Sequence, residues 1–142
     1  MAEHRFHETV FGIYFDDLDP FEILHNARYL LLFERAVGGF WLENGWGAFQ
    51  EDRRQFHLVR HNEVEYLSPV QGVGKVRVRV WVEKIGNTSL TFAFRMMPMD
   101  RDTDHTRGRR TIVHVDRETL EPSPWSDEFR QRVSPYLESD PG

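Results

Sequence analysis

The sequence of 142 residues contains no cysteine. This absence excludes disulfides, a thiol nucleophile, thiolate zinc sites and iron–sulfur clusters. No apolar run approaches the roughly eighteen residues of a transmembrane span, and the N-terminal segment has no signal-peptide core. We therefore expect a cytoplasmic protein with no membrane segment.

An excess of positive charge is also lacking. The formal net charge is -5, which gives no basic field to attract nucleic acid or an anionic membrane, so we expect neither as a partner. Hydrophobic residues make up 39% of the chain and charged residues 29%, which is a globular balance. A chain of this length fits a single domain, predicted over residues 1–142.

Most catalytic and metal-binding signatures are missing. The chain has no G-x-S-x-G serine motif and no glycine-rich phosphate loop of the dinucleotide or Walker type. The acidic run 100–104 begins like a calcium loop but has His105 where that loop requires glycine. His57 and His61 lie in a predicted strand, where four residues span about 13 Å. We therefore predict no metal site and no separate cofactor.

The hydrophobic pattern predicts an α+β fold. Residues 26–44 lack proline, are apolar on most of a helical wheel and precede Gly45, which is typical of a core helix with a glycine stop. Residues 75–83 alternate strictly, which indicates a half-buried antiparallel strand. Similar arguments predict a first strand over 6–15 and, after the helix, an antiparallel meander of the strands 56–67, 75–83, 89–97 and 109–116. The segment 100–108 is predicted to be a hairpin loop, and 125–133 a short C-terminal helix capped by Ser126.

The stretch 14–29 carries the strongest chemical signal. Asp17 and Asp19 lie in the loop that leads to the predicted helix, and a helix N-terminus presents unpaired N–H groups with partial positive charge. A carboxylate beside such donors can act as a base or nucleophile while the donors polarise a carbonyl oxygen. Acidic residues before a helix are also ordinary caps, so the spacing alone leaves both interpretations open.

At this point the sequence resembles the hotdog-fold thioesterases of the 4-hydroxybenzoyl-CoA thioesterase and YbgC type. An aromatic first strand is followed by Asp17-Leu18-Asp19 and, at the family's spacing, by Tyr29. Segment 64–69 is similar to the family's Tyr-x-x-Pro strand end, and segments 86–90 and 113–116 are similar to a turn and a core strand of the family. The similarity extends from residue 6 to about residue 137.

The resemblance implies a hotdog fold, with a long central helix wrapped by an antiparallel sheet, and an acyl-CoA thioesterase activity. By its resemblance to that family, the chain is expected to use Asp19 as the catalytic base or nucleophile. The backbone N–H of Asn26, in the first turn of the helix, would bind the carbonyl oxygen. Substrate-binding roles are expected for Phe21, His25 and Tyr29, although a histidine there can equally make a local hydrogen bond.

One departure from the family concerns the loop. Glu22 stands where relatives commonly have glycine, a residue that permits unusual backbone dihedrals.

The resemblance also implies homodimers or tetramers with sites between protomers. The turn 86–88 carries none of the basic residues that hold CoA phosphates in some relatives, so acyl carrier protein stays open as an alternative carrier. A non-catalytic dimer that binds acyl thioesters is the alternative from another functional class.

Overall fold

The computed structural model describes residues 4–46 and 56–138. The strands are β1 (His7–Ile13), β2 (His57–Tyr66), β3 (Gly74–Ile85), β4 (Ser89–Pro98) and β5 (Thr106–His114), and the α-helices are α1 (Arg28–Glu43) and α2 (Asp127–Val133). Short 3₁₀ helices cover Phe15–Asp17 and Ser134–Tyr136. The described residues therefore form an α+β structure.

The strands form one antiparallel sheet in the order β1-β3-β4-β5-β2. The predicted meander is correct for β3, β4 and β5 and wrong for β2, which pairs with β5 at the far edge of the sheet. The edge of β3 that a meander would give to β2 is occupied by β1, whose His7 pairs with Val80 and whose Ile13 pairs with Gly74. The sequence pattern of β2 identifies a strand but does not identify its neighbour.

Helix α1 lies against one face of the sheet. Its Phe33 stacks on Phe94 of β4 with ring centres 4.6 Å apart, and its Phe40 meets Phe92 edge to face at 5.2 Å. Each of these four rings is at least 98% buried. The helix has 16 residues, beginning two residues later and ending one residue earlier than predicted. The glycine stop is confirmed, since Gly45 has a φ of 84°.

The end of the chain follows the prediction closely. The Ser126 hydroxyl accepts a hydrogen bond from the Phe129 N–H (3.1 Å), so it caps α2 as expected. The predicted loop 100–108 is shorter than expected, because β5 begins at Thr106, opposite Met96.

None of the helices in the described ranges has the length and apolar character needed to cross a membrane.

Candidate active site

The loop between β1 and α1 is held by its two aspartates. The Asp17 carboxylate accepts a hydrogen bond from the Tyr14 N–H (2.8 Å), and the Asp17 carbonyl accepts one from the His25 N–H (2.9 Å). Arg28, the first residue of α1, places a guanidinium nitrogen 3.9 Å from the Asp17 carboxylate. The Asp17 carboxylate thus orders the loop and closes its ends onto the start of the helix.

Asp19 has a different environment. Its Oδ1 atom accepts hydrogen bonds from the N–H groups of Phe21 (2.8 Å) and Ile23 (3.2 Å). Its Oδ2 atom accepts none from the described residues. The side chain is only partly exposed, and the two N–H donors hold Oδ1 in place. One oxygen therefore fixes the side chain, and the other is free for chemistry.

Asp19 lines a cleft of about 390 Å³ beside the start of α1. This cleft, which we call the Asp19 cleft, also contains three of the other predicted site residues: His25, Asn26 and Tyr29. Its opposite wall is the end of β2 and the residues that follow, Tyr66 to Pro69. The fold therefore brings four of the five predicted residues into one cleft.

Asn26 lies in the turn before α1, which corrects its predicted place in the first helical turn. The reason is local: the His25 carbonyl accepts from the Arg28 N–H (2.9 Å), and the His25 Nδ1 atom accepts from the Ala27 N–H (3.0 Å). This turn delays the helical pattern by two residues. It leaves the Asn26 N–H with no acceptor in the described part of the chain, which is the state required of a donor to a substrate oxygen.

The hydrogen bond to Nδ1 also fixes the tautomer of His25. A neutral imidazole that accepts at Nδ1 carries its proton on Nε2. The ring is exposed at the cleft, so the Nε2–H group is a second donor there.

Tyr29 and Tyr66 form the aromatic part of the cleft. Their rings meet edge to face at 5.0 Å, and the Tyr66 hydroxyl donates to the Asn26 carbonyl (3.0 Å). Tyr29 is 3% exposed, and burial raises the pKa of its phenol. At neutral pH the phenol is therefore a neutral group that shapes the cleft, and it does not serve as a base.

The structure separates Phe21 from this group. Its backbone N–H supports Asp19, but its side chain is 82% exposed and does not line the cleft. Conversely, Tyr66 and Ser68 line the cleft, although neither was among the site residues predicted from the sequence. The sequence feature that could have identified these two residues is segment 64–69, which is similar to the family's Tyr-x-x-Pro strand end.

No group of three or more possible metal ligands occurs in the described ranges.

Comparison with known proteins assigns the family. The family model of the thioesterase-like superfamily matches residues 13–133. The chain belongs to this superfamily. The enzyme class expected from the sequence, a thioester hydrolase, is the one that the superfamily supports, and the matched range contains the whole Asp19 cleft. No curated protein matches the sequence.

Solved structures support the fold assignment of this superfamily member. A Staphylococcus aureus protein in complex with CoA superimposes with a TM-score of 0.85, at 12% identity, covering all of this chain and 92% of its own. A 1,4-dihydroxy-2-naphthoyl-CoA thioesterase from Synechocystis gives 0.82 at 8% identity, with coverages of 92% and 96%. A DHNA-CoA thioesterase from Staphylococcus aureus gives 0.79 at 16% identity, with coverages of 91% and 89%. Likeness at this level of identity establishes a shared fold.

Proposed function

We propose that the protein hydrolyses an acyl-CoA thioester to a free acid and CoA in the Asp19 cleft. One observation carries the proposal: a carboxylate with one fixed and one free oxygen shares a cleft with the unpaired N–H of Asn26. Two of the structural relatives are thioesterases of a CoA ester and the third is in complex with CoA, which supports CoA as the carrier.

The chemistry follows from these two groups. The thioester carbonyl oxygen accepts a hydrogen bond from the Asn26 N–H, which stabilises the negative charge that develops on that oxygen. The free oxygen of Asp19 either removes a proton from an attacking water or attacks the carbonyl carbon itself. In both routes the C–S bond breaks, CoA leaves as a thiolate that takes up a proton, and the acid is released; in the second route a water then hydrolyses an anhydride.

We further propose the complete hotdog arrangement, in which the sheet encloses α1 and two copies are joined along β2. Strand β2 is an edge strand whose residues are almost all exposed, and unpaired edges are templates for further strand pairing. Tyr66, its last residue, lines the Asp19 cleft. A second copy along this edge would therefore border the cleft.

The test is the substitution Asp19→Asn. The amide oxygen of the replacement side chain can still accept both loop N–H groups, so the fold is retained while the reactive negative charge is lost. We expect kcat to fall by about 10²–10⁴-fold, the range for removing a general acid–base group. Thiol release from aliphatic and aromatic acyl-CoAs measures the rate, and the protein adds no thiol of its own because it has no cysteine.

The matched control is Asp17→Asn, in the same loop. The Asp17 carboxylate also accepts a backbone N–H, but it does not line the cleft, so we expect kcat within a few-fold of wild type. Equal rates for wild type and Asp19→Asn would exclude Asp19 from the mechanism. If no CoA ester is hydrolysed but an acyl carrier protein thioester is, the carrier assignment is wrong.

A further inference from the structure

A second cavity lies directly beyond the wall of the Asp19 cleft. Its volume is about 530 Å³, and it shares Ser68 and Pro69 with that cleft. The rest of its lining comes from Ile13, the loop 70–74, the start of β3 and the loop after β4. The two cavities therefore adjoin at Ser68 and Pro69, and a ligand long enough to pass over these two residues would reach both.

The second cavity is cationic. Its lining includes two cations, Lys75 and Arg101, together with His105, and none of its lining residues is acidic. This is unusual in a chain with a net charge of -5. A concave surface lined by charges of one sign raises the local concentration of oppositely charged ligands.

Five arginines of β3, β4 and β5 show the contrast. Each makes an ion pair with at least one carboxylate: Arg77, Arg79, Arg95, Arg107 and Arg109. Lys75 makes no ion pair with any carboxylate of the described chain. Among the described residues, the Arg101 guanidinium is paired only with Asp100, its sequence neighbour, at 3.2 Å, and both side chains are more than 60% exposed. Such a pair is weak, so the guanidinium is available to a stronger anion.

His105 connects the two cavities. Its Nδ1 atom lies 3.2 Å from the hydroxyl of Ser68, which belongs to the shared wall. Burial and, to a smaller degree, the charge of Arg101 lower the pKa of this imidazole. Arg101 is thus near enough for its charge to act on the His105 ring.

We propose that this second cavity binds the phosphates of the CoA thioester whose acyl end lies at Asp19. Lys75 and Arg101 supply the charge, and the pantetheine arm crosses Ser68 and Pro69. The inference rests on the proposed function, because it takes the CoA ester as the substrate. It assigns the phosphates to the start of β3 and the loop after β4, since the turn 86–88 offers no positive charge.

The first experiment measures binding without any reaction. Lys75 and Lys84 are the only lysines of the chain, and both are exposed on β3, so Lys84 is an internal control. Acetylation of the wild-type protein by an N-hydroxysuccinimide ester is followed by mass spectrometry with and without CoA. We expect CoA to slow the acetylation of Lys75 and to leave Lys84 unchanged. Unchanged or equally slowed rates at both lysines would overturn the proposal.

The second experiment is kinetic and compares Lys75→Ala/Arg101→Ala with Lys84→Ala. We expect the double variant to raise KM for an acyl-CoA about 10-fold with little change in kcat, the scale for losing two exposed charge-assisted contacts. Hydrolysis of the matching acyl-N-acetylcysteamine thioester, which has no phosphate, should be unaffected. Equal effects on both substrates, or an effect of Lys84→Ala of the same size, would overturn the proposal.

The two experiments separate this inference from the proposed function. Hydrolysis that depends on Asp19, combined with no protection of Lys75, keeps the function and overturns the phosphate site. Protection of Lys75 without hydrolysis of either thioester supports the phosphate site and overturns the function.

Discussion

At Glu22 the backbone adopts a left-handed conformation, with φ 62°. This conformation costs an L-residue roughly 1–2 kcal/mol and costs glycine almost nothing. The strain is maintained by the hydrogen bonds on either side of the residue: the Glu22 N–H donates to the Asp19 carbonyl (3.0 Å), and the Glu22 carbonyl accepts from the Gly72 N–H (2.8 Å). Glu22, at a position where a glycine was expected from the resemblance, thus places backbone strain close to Asp19.

The substitution Glu22→Gly is therefore expected to stabilise the protein. We expect the free energy of unfolding to rise by about 1 kcal/mol, because the relief of strain exceeds the added entropy of the unfolded chain. Urea denaturation monitored by tryptophan fluorescence measures the change. Glu22→Ala is the control, since it removes the carboxylate and keeps the strain, so its stability should stay near that of wild type. Equal stabilisation by both variants would assign the effect to charge and contradict the strain.

Residues near Asp19 show how far the sequence could predict the cleft. Asp19, His25 and Asn26 are within eight positions of each other, so a local motif is enough to group them. Phe21 belongs to the same motif, but the tight turn over Asp19 directs its side chain to the surface. Tyr66 is distant in sequence and lines the cleft only because β2 pairs with β5. No local sequence pattern specifies that pairing.

At the scale of elements, hydrophobic periodicity predicted well where the helices and strands lie. It predicted poorly which strands pair with each other. Strict alternation predicted β3 and β4 to within two residues of their observed ends. The first three residues of β5, from Thr106 to Gly108, were assigned to a loop because the polar run 100–108 carries no alternation. They are strand because Arg107 pairs with Arg95 on one side and with Glu65 on the other. Cross-strand pairing outweighs the local preference there.

Gly108 of β5 lies close to both β2 and α1. A Cβ atom on this residue would lie 2.5 Å from the Glu63 carbonyl oxygen of β2 and 3.3 Å from the ring of Phe33 on α1. Backbone on one side and a buried ring on the other leave no room for it. We expect Gly108→Ala to lower the free energy of unfolding by about 1–3 kcal/mol. It should also lower kcat/KM, because β2 must move and Tyr66 moves with it.

The control for that variant is Gly74→Ala, at the start of β3, where an added Cβ would meet nothing within 4 Å. Its stability should remain within about 0.5 kcal/mol of wild type, the usual range for a surface change. Thermal and urea denaturation of both variants provide the comparison. A Gly108→Ala protein as stable as Gly74→Ala would mean that the contact between β2 and β5 is looser than the structure describes.

At the scale of the whole molecule, the two edges of the sheet differ. Strand β1 has seven residues, whereas β2 has ten, of which eight are exposed. Leu58, Val59 and Tyr66 are each 45–52% exposed along β2, and Leu67 follows at 44%. An exposed apolar edge of this length favours association, and a two-fold axis beside it would bring the same residues of both copies together. The cleft wall from Tyr66 to Pro69 continues this edge.

The substitution Val59→Lys tests the association along β2. In the proposed dimer it places a charge in each half of an apolar contact, which carries a desolvation cost, so we expect wild type to be a dimer or a multiple of it and the variant to be a monomer at micromolar concentration. Light scattering coupled to gel filtration measures the mass, and dissociation should reduce thioester hydrolysis because the cleft loses a border. Val10→Lys is the matched control: Val10 and Val59 are both 49% exposed, but Val10 lies on β1 at the opposite edge. A monomeric wild type would overturn the dimer, and dissociation by Val10→Lys alone would move the interface to β1.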